Sequence, residues 1–270
     1  MDGVILIETL RRKWKHIVYW GGGLALYAIF TFMLIPDMEA LQKYVEILEG
    51  MGTGMLSVIG LSDASAMATP AGYVGVEFFS FLLLITSVYG VIAGMDVTAN
   101  DEDKGVMDMM LSLPMDRWRV VIEKILAYSL IILGIGLVTF IGTVIGREVS
   151  NQPLDMSLSS LLQSSLNFVP GTIVVMSATV LISTLMRRRS LAMALSGVFV
   201  VASFLLNVVA EAAGSKAADA VAQISIFQHY GGATVLQDGI AYGSAFALLV
   251  VAVILATGAA AKFIRRDVAV

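Results

Sequence analysis

Long apolar stretches separated by short charged ones are the feature that most limits the fold of this sequence. Each stretch has about 18 residues or more, which is the length that a helix needs to cross a bilayer. The chain as a whole is 58% hydrophobic and only 14% charged, far from the average of soluble domains. We therefore expect an all-α integral membrane protein with six transmembrane helices, at residues 17–35, 76–95, 121–146, 168–186, 191–210 and 244–261.

The segments between these stretches complete one predicted membrane domain over residues 1–270, since no internal repeat divides the chain. Residues 1–16 combine basic and apolar side chains and are predicted to form an interfacial helix on the membrane. A cleaved signal peptide is the alternative, but residues 17–35 are longer than a signal core and no small-residue cleavage site follows. Residues 36–75 and 211–239 are predicted external segments, and a shorter outer loop runs from Arg147 to about Ser165.

The distribution of lysine and arginine predicts the orientation. With six spans, fourteen of the 17 basic residues fall on one side, and the other side has only Lys43, Arg147 and Lys216. Because cytoplasmic loops carry the excess of basic residues, both termini are expected in the cytoplasm. Residues 100–119, between the second and third spans, would lie there too. The expected location is the cell membrane of a prokaryote.

Several kinds of chemistry are missing from the sequence. It has no cysteine and no phosphate-binding loop, and its two histidines, His16 and His229, lie on opposite sides of the predicted membrane. No basic stripe with interleaved aromatic residues suggests a nucleic-acid partner. We expect no catalytic residue, no bound cofactor and no metal site in this chain.

The predicted spans are almost free of ionisable residues. The exceptions are near span ends, at Glu77, Asp96, Glu123 and Lys124. Ion-coupled transporters usually place polar ion sites near the middle of the membrane, so energy is expected to come from elsewhere. A pathway lined by Met, Phe, Ser and Thr suits an apolar or amphipathic substrate.

The central segment, residues 100–119, is rich in charged residues and is interrupted by a glycine and a proline. After an acidic run and Gly105, apolar residues that include Met107, Met110 and Leu111 recur at helical spacing until Pro114. This pattern predicts a short amphipathic helix in the cytoplasm. An ordinary loop with a solvated run of charges is the alternative.

The run from Asp101 to Arg117, followed by Lys124, resembles the cytoplasmic segment of the type-2 exporter-class permeases of ATP-binding-cassette (ABC) transporters. An acidic cluster, a glycine, a second acid, a leucine-rich turn, Leu-Ser-x-Pro and a downstream Arg and Lys occur in the same order. Asp101 and Asp108 stand where that family usually has Glu, and Val106 replaces a common Thr. The six-span arrangement agrees with the family over nearly the whole chain.

The resemblance implies that the central segment contains a coupling helix, which docks on a separate ABC ATPase subunit. The residues implied for this interface are Asp101, Glu102, Gly105, Met107, Asp108, Met110, Leu111, Pro114 and Arg117. ATP and Mg would be bound by the ATPase, two copies of which would serve each complex. A second permease chain, identical or similar, would complete the pathway in the lipid bilayer.

The expected function is therefore that of a permease subunit in an ATP-driven exporter with an alternating-access mechanism. A secondary, ion-coupled transporter and a membrane-embedded enzyme of lipid metabolism are the alternatives from other classes. A regulatory or sensory membrane partner of an ATPase is a related one.

Overall fold

The computed structural model describes residues 3–51, 64–103, 116–150, 152, 154–186, 188–213 and 215–265, and within these ranges every regular element is helical. Short 3-10 turns occur at Ala64–Ala68 and Phe227–His229. In chain order the helices are α1 (Val4–Lys13), α2 (Ile17–Met33), α3 (Met38–Met51), α4 (Pro70–Val97), α5 (Ala99–Asp103), α6 (Arg117–Val149), α7 (Leu158–Leu185), α8 (Arg189–Ala213), α9 (Lys216–Ala222), α10 (Val235–Asp238) and α11 (Tyr242–Ile264).

Five helices, α4, α6, α7, α8 and α11, are long and apolar enough to cross a membrane. The remaining predicted span, residues 17–35, corresponds to α2, which joins α1 through a bend of 49°. The first turn of α2 is a π-helix, Ile17–Gly21. The described chain thus has five candidate spans, or six when the bent pair of α1 and α2 counts as one.

The α4 helix begins earlier than the predicted second span, at residue 70 instead of 76. Thr69 caps it, because its side-chain oxygen accepts a hydrogen bond from the Gly72 N–H at 3.0 Å, and Pro70 occupies the first helical position. Residues 70–75 of the predicted external segment are therefore helical. Hydropathy does not show this extension, since it reports how apolar a helix is and not where its hydrogen bonds begin.

The predicted outer loop from Arg147 to Ser165 is also partly helical. The α6 helix continues to Val149, and α7 begins at Leu158 after Ser157, whose side chain accepts from the Ser160 N–H at 3.0 Å. Because this stretch is rich in serine, its composition indicated a loop and not the start of a helix, although serine is a favoured N-cap. What remains between the two helices is a short connection.

The core of the bundle is formed mainly by α4, α6 and α7. More than half of α4 and α7 is buried inside the chain, whereas only 22% of the α8 span and 28% of the α11 span are. The exposed apolar faces of α8 and α11 belong on the outside, where lipid or another membrane helix can cover them. The packing order therefore places α4 and α7 at the centre.

Two pairs of helices approach each other very closely. On α4, a Cβ added at Gly94 would lie 2.7 Å from the Met176 carbonyl oxygen of α7. On α6, a Cβ at Gly142 would lie 2.4 Å from the Cα of Ala25 in α2. Glycine at these positions lets the backbones meet, as in small-xxx-small helix pairs of membrane proteins.

Candidate functional site

We call the end at which α2, α6 and α8 begin, and at which α4, α7 and α11 end, the basic end of the bundle. The Thr98 hydroxyl lies 2.6 Å from the Ser183 hydroxyl there, which joins the ends of α4 and α7. The described flanks of the central segment, α5 and the first turns of α6, lie at this end. Geometry around these flanks therefore bears directly on the predicted coupling residues.

At the end of α4, Asp96 accepts hydrogen bonds from side chains of three other helices, α1, α5 and α6. Its Oδ2 accepts hydrogen bonds from the Lys13 ammonium at 2.6 Å and from the Tyr128 hydroxyl at 3.0 Å. Its Oδ1 accepts from the Asn100 side-chain amide. Because the Asp96 side chain is only 14% exposed, the carboxylate depends on these donors for its solvation. The contacts fasten α1 and α6 to the end of α4.

Lys124 fastens α6 to the other flank of the central segment. Its ammonium donates to the Val97 carbonyl oxygen at 3.1 Å and forms an ion pair with Asp101. The Lys124 side chain is 6% exposed, so the charge is nearly enclosed by its partners. Asp101 precedes residues 104–115 and Lys124 follows them. The ion pair therefore joins the chain entering this part of the central segment to the chain leaving it.

Glu123, the neighbouring residue, caps the first helix. Its carboxylate accepts hydrogen bonds from the backbone N–H groups of Gly3 at 3.3 Å, Ile5 at 3.1 Å and Leu6 at 3.2 Å. These are among the amides that a helix leaves unpaired at its N-terminus, where a negative charge is favourable. Both ends of α1 are thus fixed, one by Glu123 and the other through Lys13 and Asp96.

Arg189, the first residue of α8, connects α8 to the same group of polar side chains. Its Nε donates to the Asn100 side-chain oxygen at 2.6 Å, and its Nη1 lies 3.9 Å from the carboxylate of Asp103. Asn100 also donates to Asp96, so its amide group connects α8 to the end of α4. We call the set Lys13, Asp96, Asn100, Asp101, Glu123, Lys124 and Arg189 the polar cluster.

Comparison with known proteins agrees with this architecture. A family model described as ABC-2 family transporter protein matches residues 10–268, which is nearly the whole chain. This chain belongs to the ABC-2 transporter family. The comparison with curated proteins gives no match. As an ABC-2 protein it is a multi-pass membrane component of a transporter and is not itself the catalytic part. An ABC ATPase is the general partner of this family.

The structure describes three of the nine predicted coupling residues of this ABC-2 protein. Asp101 and Glu102 lie in the short helix α5, and Arg117 is the first residue of α6. Of the three, Asp101 belongs to the polar cluster, through its ion pair with Lys124. The remaining six lie outside the described residues, as does the predicted amphipathic helix, and they are Gly105, Met107, Asp108, Met110, Leu111 and Pro114.

The sequence pattern did not include most of the polar cluster in the predicted site. Asp96, Glu123 and Lys124 did stand out as rare charges near span ends, and such charges need partners in a membrane protein. Their partners had no comparable signal, because Lys13 lies 83 positions from Asp96 in the chain. Considering the basic residues expected near each span end would have included Lys13, but it would not have shown which of them pairs with Asp96.

Potential metal-ligating side chains, those of His, Asp and Glu, occur in the part of this ABC-2 protein that the structure describes. Over the described ranges, no three His, Cys, Asp or Glu side chains come together in a way that could hold a metal ion. Within the polar cluster Lys13 pairs with Asp96 and Lys124 pairs with Asp101, so these charged groups join helices. The arrangement connects the flanks of the central segment to α1, α4, α6 and α8.

At the opposite end of the ABC-2 protein, the segment before α11 is hydrogen-bonded to α4 and α7. The Tyr230 hydroxyl donates to the Phe79 carbonyl oxygen at 2.6 Å, and the Asn167 amide donates to the Tyr230 carbonyl oxygen at 2.6 Å. Burial raises the pKa of the Tyr230 hydroxyl above its ordinary value of about 10. A cavity of 440 Å³ lies at this end beside Arg147, whose Nη1 donates to the Met156 carbonyl oxygen at 2.9 Å.

Proposed function

We propose that this ABC-2 protein is the permease subunit of an ATP-driven exporter. A separate ATPase subunit docks on the central segment, and its movements switch the permease between inward-facing and outward-facing states. The observation that carries this proposal is the Lys124–Asp101 ion pair, which closes the chain around residues 104–115. Because this segment is joined at both flanks, a displacement of it would move two spans, α4 and α6, together.

The polar cluster gives a route for that displacement. Val97, whose carbonyl oxygen accepts from Lys124, belongs to the same turn as Asp96. Asp96 in turn holds Lys13, and Glu123 holds the other end of α1. A push on the central segment would therefore move α1, α4 and α6 together, as a rigid-body change between two helix packings. The close contact of α4 with α7 at Gly94 extends the moving unit.

The proposed partners follow from the way in which an ABC transporter assigns ATP hydrolysis and transport to separate subunits. ATP and Mg are bound by the ATPase, with two ATPase subunits for each complex. A second permease chain, identical or similar to this one, completes the pathway. The exposed apolar faces of α8 and α11 provide membrane-embedded surface for such a chain or for lipid. The proposed location is the cell membrane of a prokaryote.

The proposed substrate is apolar or amphipathic. Between the spans, the buried polar groups are mostly hydroxyls, such as Thr86 and Thr172, whose oxygens lie 2.8 Å apart. The hydroxyl groups of Thr139 and Thr179 bond to carbonyls of their own helices. Such an interior resembles neither the carboxylate sites of proton-coupled carriers nor those of sodium-coupled ones.

Site-specific crosslinking tests the docking step. The chain has no cysteine, so Met107→Cys and Met110→Cys each introduce a single reactive thiol. With a maleimide–diazirine crosslinker, both variants are expected to capture the ATPase subunit in the purified complex. Ile47→Cys, on an exposed position of α3, is the matched control and should capture none. Capture from Ile47 alone would place the ATPase on the wrong side and remove the proposal.

Transport measurements test the coupling step. In vesicles that contain the complex, Gly105→Ala and Leu111→Ala are expected to lower export of the amphipathic dye rhodamine 6G relative to ATP hydrolysis. Leu26→Ala, on a lipid-facing position of α2, should leave the ratio unchanged. Export that continues without ATP and stops when ion gradients are collapsed would identify a secondary transporter instead.

A further inference from the structure

Basic residues surround the bend between α1 and α2. Arg11, Arg12 and Lys15 are exposed there, and Trp14 between them is 53% exposed. We call these four residues the basic elbow. We propose that the basic elbow binds the headgroups of anionic phospholipids. This inference concerns α1 and the bilayer and does not depend on the ATPase.

The geometry of the bend places the basic elbow at the membrane boundary. The bend turns the chain by 49°, and α2 continues from it as a candidate span. Directly after the bend, Val18 and Tyr19 are 52% and 71% exposed, so an apolar outer surface begins within one turn of Trp14. Tryptophan collects at the headgroup level of membranes because its ring is amphipathic. Trp14 therefore marks the level at which lipid headgroups meet the chain.

The charges of the basic elbow are available to a ligand. Within the described part of the chain, Arg11 and Lys15 have no ion-pair partner. Arg12 pairs with Glu8 at 2.6 Å, but both side chains are largely exposed, and such pairs are weak. Only Lys13 is committed to the interior, through Asp96. The basic elbow and Glu8 together therefore carry three exposed positive charges and one exposed negative charge. This net positive charge complements a phosphate.

Anionic phospholipid is the occupant that this chemistry favours. The long basic side chains can lay their apolar stems along the bilayer surface and extend their charged ends to the headgroups. Each basic residue near an anionic bilayer strengthens association about fivefold. A zwitterionic headgroup brings a cation along with its phosphate and gains much less. Lipid bound here would also hold α1 in place, since Lys13 lies in the same turn.

Tryptophan fluorescence in brominated bilayers tests the inference. In the Trp20→Phe, Trp118→Phe background, Trp14 is the only tryptophan. The protein is reconstituted in phosphatidylcholine vesicles in which one-fifth of the lipid is either dibromo-phosphatidylglycerol or dibromo-phosphatidylcholine. Since bromine quenches nearby indole, the anionic lipid is expected to quench Trp14 about threefold more if it collects at the basic elbow.

Matched variants separate local binding from general charge. Arg11→Gln with Lys15→Gln should reduce the ratio of the two quenching values to about one. Lys262→Gln with Arg265→Gln removes the same number of charges from the same end of the bundle and should leave the ratio unchanged. Equal quenching by both lipids in the parent protein, or equal loss in both double variants, would overturn the proposal.

A soluble phosphate is the remaining source of the same chemistry. Replacing chloride by inorganic phosphate at constant ionic strength should leave the quenching ratio unchanged when lipid is the ligand. Loss of the ratio in phosphate would identify a site for a soluble anion and contradict lipid binding. Size-exclusion profiles and circular dichroism of each variant show that the fold is retained, so that a changed ratio reports the site.

Discussion

The ammonium of Lys124 lies against the carboxylate of Asp101, 23 positions earlier in the chain. Lys124 belongs to a long helix, α6, while Asp101 belongs to the five-residue helix α5. Because the Lys124 side chain is 6% exposed, it cannot regain water when its partner is removed. This pair therefore fixes the position of a short element on a long one.

Breaking that pair is expected to destabilise the protein. Lys124→Met leaves Asp101 without Lys124 and beside an apolar side chain, at a cost of only about 2 kcal/mol because the Asp101 side chain is 26% exposed to water. The apparent Tm in detergent should fall by about 4–8 °C. The double variant Lys124→Met, Asp101→Asn should recover part of this loss. Lys43→Met, which breaks the exposed pair with Glu39 on α3, is the control and should change Tm by less than about 2 °C. Equal effects of the two methionine variants would contradict the assignment.

The cap that Glu123 provides to α1 predicts a local change in protection. Glu123→Ala removes the acceptor of three backbone N–H groups and should destabilise the first turn of α1 by about 1–2 kcal/mol. Hydrogen exchange at residues 3–6 should accelerate by about tenfold, with little change in α7. Glu8→Ala, on the exposed face of the same helix, is the comparison, and faster exchange at residues 3–6 there would mean that Glu123 has no special role.

Substitution by alanine is expected to have different effects at two glycines in the spans, because Gly94 lies in a close helix contact and Gly23 does not. Gly94→Ala would put a methyl group 2.7 Å from the Met176 carbonyl oxygen and 2.6 Å from the Thr179 Cβ, so α4 and α7 must separate. We expect a loss of about 2–3 kcal/mol, seen as a lower apparent Tm. At Gly23 of α2, no described atom beyond the adjacent residues and the helix's own backbone lies within 4 Å of an added Cβ. Gly23→Ala should therefore be neutral or slightly stabilising, and a comparable loss at both positions would argue against the close contact.

Tyr230 predicts a dependence of stability on pH. Tyr230→Phe removes the hydrogen bond to the Phe79 carbonyl oxygen and should cost about 1–2 kcal/mol at pH 8. Burial raises the pKa of Tyr230 in the folded protein above its unfolded value of about 10. As the pH rises past 10, the unfolded state loses this proton and the folded state keeps it, so the parent protein loses stability.

The phenylalanine variant lacks this ionisation. Its deficit relative to the parent is therefore expected to shrink between pH 8 and pH 11, as measured by apparent Tm in paired samples. Tyr242→Phe serves as the control because Tyr242 is 70% exposed, and it should show no deficit at either pH. A Tyr230→Phe deficit that grows with pH would contradict a buried, protonated hydroxyl.

Hydropathy predicted the helical membrane class, because the apolar stretches of α4, α6, α7, α8 and α11 are each long enough to cross a bilayer. Local capping signals at Thr69 and Ser157 were visible but were outweighed by the polar or small residues around them. The polar cluster was beyond prediction for a different reason. Several of its contacts join residues that lie 83 to 120 positions apart, and spacing along the chain carries no information about such pairs.

The cap on α1 also has a bearing on biosynthesis. Gly3 leaves the ribosome 120 residues before Glu123, the acceptor of its N–H. The first turn of α1 therefore lacks this acceptor until two further apolar helices, α2 and α4, have been synthesised. This cap can form only after α6 has been synthesised, so the first turn of α1 reaches its native hydrogen bonding later than its own place in the chain suggests.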